Sequence, residues 1–185
     1  NESLKFNARQ LLSCLERLLE QIEVYNFEIE RLSQTEEYKE KVSALKCFRG
    51  VKTLIAMSLV TEIGDINRFS HPSKLTSYCG LDIAEYSSGG KENKFGVSKM
   101  GNAYLRTCLV EASQMSVRPP NISRRLKRDR ENQPQVVIDI ADKCMSRLHK
   151  KGSRLLYRNK CSNKVKVACA REMLGFFWEA LREVS

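Results

Sequence analysis

Residues 86–102 read YSSGGKENKFGVSKMGN. Ser87 and Ser88 precede Gly89 and Gly90; Lys91, Lys94 and Lys99 follow, and Arg106 lies a little farther on. A serine hydroxyl is a poor nucleophile unless a base or a cation activates it. Against a DNA phosphodiester the site also needs cations, to stabilise charge on pentavalent phosphorus. This stretch carries both residue types, and the two glycines would let a backbone approach the hydroxyl closely. Composition alone nevertheless favours a surface loop, the usual setting of a Ser-Gly-Gly-Lys sequence. It is not a phosphate-binding P-loop, because Gly-x-x-x-x-Gly-Lys-Ser/Thr is absent.

A second set of residues could hold phosphate. Residues 143–171 contain ten Lys or Arg and no Asp or Glu. Lys143, Arg147, Lys150, Lys151, Arg154 and Arg158 recur at three- or four-residue spacing, so much of this charge can share one helix face. Arg124, Arg125 and Arg128 lie in a further basic stretch, ISRRLKRDREN, read as exposed. The bland reading is a solvated basic face. Density without acidic partners instead favours contact with the phosphate backbone of DNA or structured RNA. Tyr104 and Tyr157 are available to stack on bases.

Metal chemistry has little support. Glu62 with Asp65 and Asp139 with Asp142 are the nearest carboxylate pairs, and each reads as helix surface or capping. Seven cysteines include no Cys-x-x-Cys pair, and only His71 and His149 could assist them. No metal site is assigned in this chain. The odd count and scattered positions of the cysteines suggest reduced, mostly buried thiols in a cytosolic protein.

These residues need a scaffold, and the chain reads as mainly α. Leu4, Ala8, Leu11, Leu15, Leu18, Ile22, Tyr25, Ile29 and Leu32 keep a 4-3-4-3 spacing, a heptad seam of about four repeats. It predicts a coiled coil or a long helical hairpin, although Leu12 and Leu19 widen the stripe towards an ordinary amphipathic helix. Ser33–Thr35 forms a turn or cap before a second helix over 36–48. A helix over 52–62 follows Gly50 and ends at Gly64. This pair resembles half of a helix-hairpin-helix, with Gly50 and Lys52 offering backbone N–H groups to a phosphate; an ordinary tight turn is the alternative. A helix over 73–80 has Ser70 or Ser73 as cap, and 81–99 is loop-like or a small hairpin. Helices over 103–117, 134–150 and 164–183 complete the chain, with 150–163 as connector. The domain reading is a coiled-coil segment, 1–46, and a compact helical body, 47–185.

Charge agrees with that division. The 185 residues carry a net +10; residues 1–50 hold a net −1 and the rest +11. A neutral arm joined to a polyanion-binding body is the expectation. No apolar run approaches the roughly 18–20 residues that span a bilayer. The chain starts at Asn1 rather than Met, so an upstream part is expected.

Taken together, GVKTLIAMSLVTEIGDINRF, KLTSYCGL, EYSSGGKENKFGVSKMGNAYLRTCLVEAS and KVKVACAREMLGFFWEAL resemble the C-terminal transposase domain of the IS-one-ten insertion-sequence family and its IS-nine-oh-two and IS-one-sixteen type relatives. The resemblance is strong over 47–116 and moderate at the last helix. It implies a DNA recombinase with two catalytic halves. One is resolvase-like, with an Asp-Glu-Asp-Asp site for Mg²⁺, and is not in this chain. The other supplies a serine that attacks DNA and forms a phosphoserine link. A coiled coil joins the halves and helps them dimerise, and a structured guide RNA directs target choice. On this chain the serine falls on Ser88, with Ser87 as the alternative, and Lys99, Gly101, Asn102 and Arg106 match the downstream pattern. Lys91, Lys99 and Arg106 would hold phosphate. The implied partners are DNA, a guide RNA and a second copy through residues 4–32, in the bacterial cytoplasm near the nucleoid. A fragment of this kind should not complete strand exchange alone. The family hairpin Pro-Gly-Val-Gly reads Arg49-Gly50-Val51-Lys52, which weakens one backbone phosphate contact. The competing readings are a non-catalytic DNA- or RNA-binding module and a purely structural dimerisation domain.

Overall fold

The computed structural model describes the backbone of residues 1–88 and 91–185 and the side chains of residues 1–83 and 96–185. It is mainly helical. The order is α1 (Glu2–Leu32), α2 (Lys39–Lys46), α3 (Thr53–Ile63), a 3-10 turn (Ile66–Arg68), α4 (Pro72–Tyr78), β1 (Ile83–Ser88), β2 (Lys91–Val97), α5 (Ala103–Ser113), α6 (Arg124–Asp129), α7 (Gln135–Tyr157) and α8 (Ser162–Arg182).

The heptad segment is one unbroken helix. The Asn1 side chain accepts from the Ser3 N–H, and Arg31 closes the last turn on the Glu28 carboxylate. At about 1.5 Å per residue its 31 residues extend about 46 Å. None of them is buried. Leu4, Leu11, Leu15, Leu18 and Ile22 all keep more than half of their surface in solvent. Only the C-terminal end touches the body, where Ile29 and Leu32 rest against the core.

The body is built around α8, which packs against α2, α4, α5 and α7. Its inward stripe, Val165, Cys169, Met173, Phe177 and Leu181, follows the helical period and is fully buried. Phe177 meets Phe48 edge-on with ring centroids 4.9 Å apart. Trp178 donates its indole N–H to the Phe69 carbonyl at 2.8 Å, tying α8 to the 3-10 turn. Val42, Ala44 and Leu45 of α2 lie in this same core, so packing places α2 with the body rather than with the arm.

Several expected boundaries shift for identifiable reasons. Helix α7 runs to Tyr157, through residues expected to form a connector. Gly152 lies inside it because a Cβ there would come within 3.2 Å of Val117 and 3.6 Å of Cys169. The glycine permits close packing and does not end the helix. Helix α5 stops at Ser113, whose hydroxyl donates back to the Val110 carbonyl and across to that of Lys166. The cap of α4 is His71, accepting at Nδ1 from the Ser73 N–H, and neither Ser70 nor Ser73 fills that role.

Candidate nucleic-acid interface and serine hairpin

The stretch that opened the question is an antiparallel β-hairpin. Ile83 pairs with Val97, Glu85 with Lys94, Tyr86 with Asn93, Ser87 with Glu92 and Ser88 with Lys91, with an irregularity between Ile83 and Glu85. The backbones of Ser87 and Ser88 thus sit at the far end of β1. The side chains of Ser87, Ser88, Lys91 and Lys94 lie outside the described residues.

The base of the hairpin is fixed by the Lys-Met-Gly-Asn sequence after it. Ser98 donates its N–H to the Asp82 carbonyl and its hydroxyl to the Asp82 carboxylate at 2.5 Å. Lys99 takes a left-handed backbone, φ 58°, uncommon for a residue with a side chain, and donates its N–H to the Gly80 carbonyl. Gly101 lies against the Tyr78–Gly80 backbone so tightly that a Cβ would come within 2.5 Å of the Tyr78 carbonyl oxygen. Asn102 then caps α5, its Oδ1 accepting from the N–H groups of Tyr104 and Leu105, while its Nδ2 donates to Glu62 at 2.5 Å. Arg106 donates to the Cys79 carbonyl at 3.0 Å. Asn102, which matches the family pattern, and Arg106, a candidate for phosphate contact, are therefore both engaged in holding the hairpin's foundation.

The basic face of α7 is real. Lys143, Arg147, Lys150, Lys151 and Arg154 line one open groove of about 810 Å³ against Phe176 of α8. Arg158 follows as the C-cap of α7 and is exposed. The sequence reading missed one member, Glu172, which accepts hydrogen bonds from Arg147 and from Lys151. Partial burial raises the Glu172 carboxyl's pKa, but the two hydrogen bonds outweigh that and hold it below its ordinary value. Its position one residue past an acid-free run was the only signal.

The 122–132 stretch is less exposed than expected. Arg124 and Arg128 face solvent on α6. Arg125 instead bonds the Val51 carbonyl and pairs with Asp129 at 2.7 Å. Arg130 is buried, donating to the Cys47 carbonyl and to Asp142 at 2.8 Å. Beside α6, Gly50 has φ +93°, and a Cβ there would fall 2.1 Å from the Ala112 carbonyl oxygen. Its absence of a side chain serves helix packing. Lys52 is exposed at the start of α3 and makes no side-chain cap bond.

The carboxylate pairs are occupied within the fold. Glu62 meets Asn102, Asp65 caps the 3-10 turn, Asp139 accepts from Gln135 and Asp142 pairs with Arg130. Among the described residues no group of three His, Cys, Asp or Glu stands close enough to hold a metal ion. No described helix is long and apolar enough to cross a membrane. All seven cysteines are free thiols, and five are buried.

Comparison with known proteins bears on this arrangement. The profile of the transposase IS116/IS110/IS902 family matches residues 42–127, from α2 through the hairpin to α6. A putative transposase, y4qE, of Sinorhizobium fredii is 39% identical over 142 residues, 77% of this chain and 36% of its own length. The transposase for insertion sequence element IS1533 of Leptospira borgpetersenii is 31% identical over 86% of this chain and 46% of its own. That for IS1111A of Coxiella burnetii is 32% identical over 60% of this chain and 30% of its own. The chain thus spans 30–46% of the length of these curated relatives. With the hairpin, its glycine-tight base and the α7 face all inside the matched region or packed on it, this chain belongs to the IS116/IS110/IS902 family of insertion-sequence transposases.

Proposed function

We propose that the chain is the serine-bearing half of a DNA transposase. The observation that carries this reading is a paired Ser88–Lys91 backbone at the end of a hairpin whose base is rigidly footed in the family's matched region. A short hairpin on a fixed base can present a hydroxyl to a substrate that arrives from outside the body. Ser88 Oγ attacks the phosphodiester phosphorus, forming a serine–phosphate ester as the bond to one deoxyribose oxygen breaks. The hydroxyl proton passes to the departing sugar oxygen. Lys91, Lys94 and Lys99 stabilise the equatorial charge. The exposed cations of α6 and α7, namely Arg124, Arg128, Lys150, Arg154 and Arg158, hold DNA and a structured guide RNA by their phosphates. The exposed seam of α1 pairs with a second copy. Magnesium, in this reading, belongs to a resolvase-like half outside the chain.

The full-length transposase carrying Ser88→Ala, and separately Ser87→Ala, tests the nucleophile. Loss of recombination and of a denaturation-resistant protein–DNA adduct in one variant identifies it. Retention of both in each variant removes the serine mechanism. The engagement of Asn102 and Arg106 inside the fold favours a second reading, a binding module without chemistry, in which the unaltered enzyme forms no adduct on any DNA.

A further inference from the structure

A second groove, of about 830 Å³, opens where the hairpin base meets α8. Its floor is apolar, with Ile83 and Val97 from the paired strand ends and Val167 and Ala168 from α8. Its rim is cationic: Lys99 stands on one side, and Lys164 and Arg171 on the other. Among the described residues no carboxylate lines it. That separates it from the α7–α8 groove, which is the more polar of the two and contains Glu172. Lys151 lines both, so the two grooves share a wall.

Resting on the transposase reading, we propose that this second groove seats an unpaired stretch of the nucleic-acid strand. Charge complementarity selects a polyanion, and the floor decides its form. A duplex offers protein mainly phosphates and groove edges, which surface cations alone can meet. An unpaired strand also exposes sugar and base faces, whose desolvation requires apolar surface between the cations. Lys164 and Arg171 are seven residues apart on one face of α8, about 10 Å at the helical rise. That spacing lets both cations meet phosphates of one and the same strand. The left-handed Lys99 closes the opposite rim. The groove begins at Ile83, and Ser88 lies five residues on, about 17 Å along β1. The seated segment therefore lies about five nucleotides from a phosphodiester at the hairpin end, at duplex spacing. Strand opening next to the reaction site is what this surface is shaped to hold.

The test uses the 185-residue chain with two fluorescent probes, a 15-nucleotide single strand of mixed sequence and the blunt duplex of that sequence. Lys164 and Arg171 are both exposed, so Lys164→Gln/Arg171→Gln should fold and melt as the unaltered chain does. The expected result is at least a tenfold loss of single-strand affinity with less than a threefold loss for the duplex. The single-strand salt slope should also fall by about 1.4, two phosphate contacts at about 0.7 each. Lys150→Gln/Arg154→Gln, in the neighbouring groove, should weaken both probes alike. Equal losses for both probes in the Lys164/Arg171 variant, or none for the single strand, overturn the inference and leave the transposase reading standing. Failure of the unaltered chain to bind either probe overturns the nucleic-acid reading and this inference with it.

Discussion

The Asn102 carboxamide joins two helix ends. Its Oδ1 takes the first free N–H groups of α5, and its Nδ2 donates to Glu62 at the C-terminal end of α3, 2.5 Å away. The loop that supports the hairpin runs directly into this junction. Asn102→Ala removes both roles and should cost about 1–2 kcal/mol, lowering Tm by several degrees. Asn102→Asp keeps the cap but sets a second carboxylate beside Glu62. Its loss should be largely restored by Glu62→Gln in the same chain. A double-mutant cycle read by thermal melting checks the coupling; additive losses would remove the junction as a unit.

Two glycines should respond in opposite directions to alanine. At Gly50 the backbone is left-handed and the new Cβ would collide with the Ala112 carbonyl, so Gly50→Ala should destabilise by about 3 kcal/mol or prevent folding. Gly175 lies within α8 with open space around a built Cβ. Gly175→Ala should stabilise by about 0.5–1 kcal/mol through helix propensity. Denaturant unfolding of the pair checks both signs.

The contrast shows what could be read from sequence. Periodicity revealed α1, the inward stripe of α8 and the shared cationic face of α7, because each depends on spacing along one helix. Gly64 was legible as a stop because its role is local. Gly50 and Gly152 were not fully legible, since what they accommodate is the Ala112 carbonyl in one case and Val117 in the other, far away in the chain. Arg125 and Arg130 looked like part of a phosphate-binding run. Their partners, the Val51 and Cys47 carbonyls, are brought to them only by the fold. The second groove escaped notice for the same reason, as it is assembled from the hairpin base and α8.

Arg130 should behave as a structural residue. Its guanidinium is buried and one nitrogen, Nη2, has no partner. Arg130→Ala would leave the Cys47 carbonyl unpaired and strand Asp142 without its cation. With Asp142 partly solvated, the cost should be about 2 kcal/mol. DNA affinity per folded molecule should not change, whereas Arg128→Ala should weaken binding without moving Tm. Melting curves and anisotropy titrations of the two variants distinguish these outcomes.

The thiols should divide sharply by location. Burial pushes the Cys47 pKa up to about 11 and that of Cys79 up to about 12, despite opposing help from Arg130 and Arg106 respectively. Burial also raises the Cys144 thiol. Cys14 and Cys161 are exposed. Ellman's reagent at pH 8 should therefore titrate two thiols rapidly in the native chain and all seven after denaturation. Fast reaction of more than two would mean that the body opens readily.

Glu172 competes with phosphate for the same cations. Arg147 and Lys151 both bond it, and their pull holds its folded pKa below the unfolded value. A depressed carboxyl stabilises the fold above the unfolded pKa, about 4.3, and that contribution is lost as pH falls through the folded pKa. Glu172→Gln should therefore cost about 1 kcal/mol at pH 7, and the gap to the unaltered chain should close below about pH 4. The same variant removes a negative charge from the α7–α8 groove and frees both cations. Its affinity for duplex DNA at low salt should rise several-fold, with a steeper salt dependence. A variant both less stable and tighter in binding shows that Glu172 occupies a phosphate's place. Reduced stability with unchanged affinity would confine the residue to the fold.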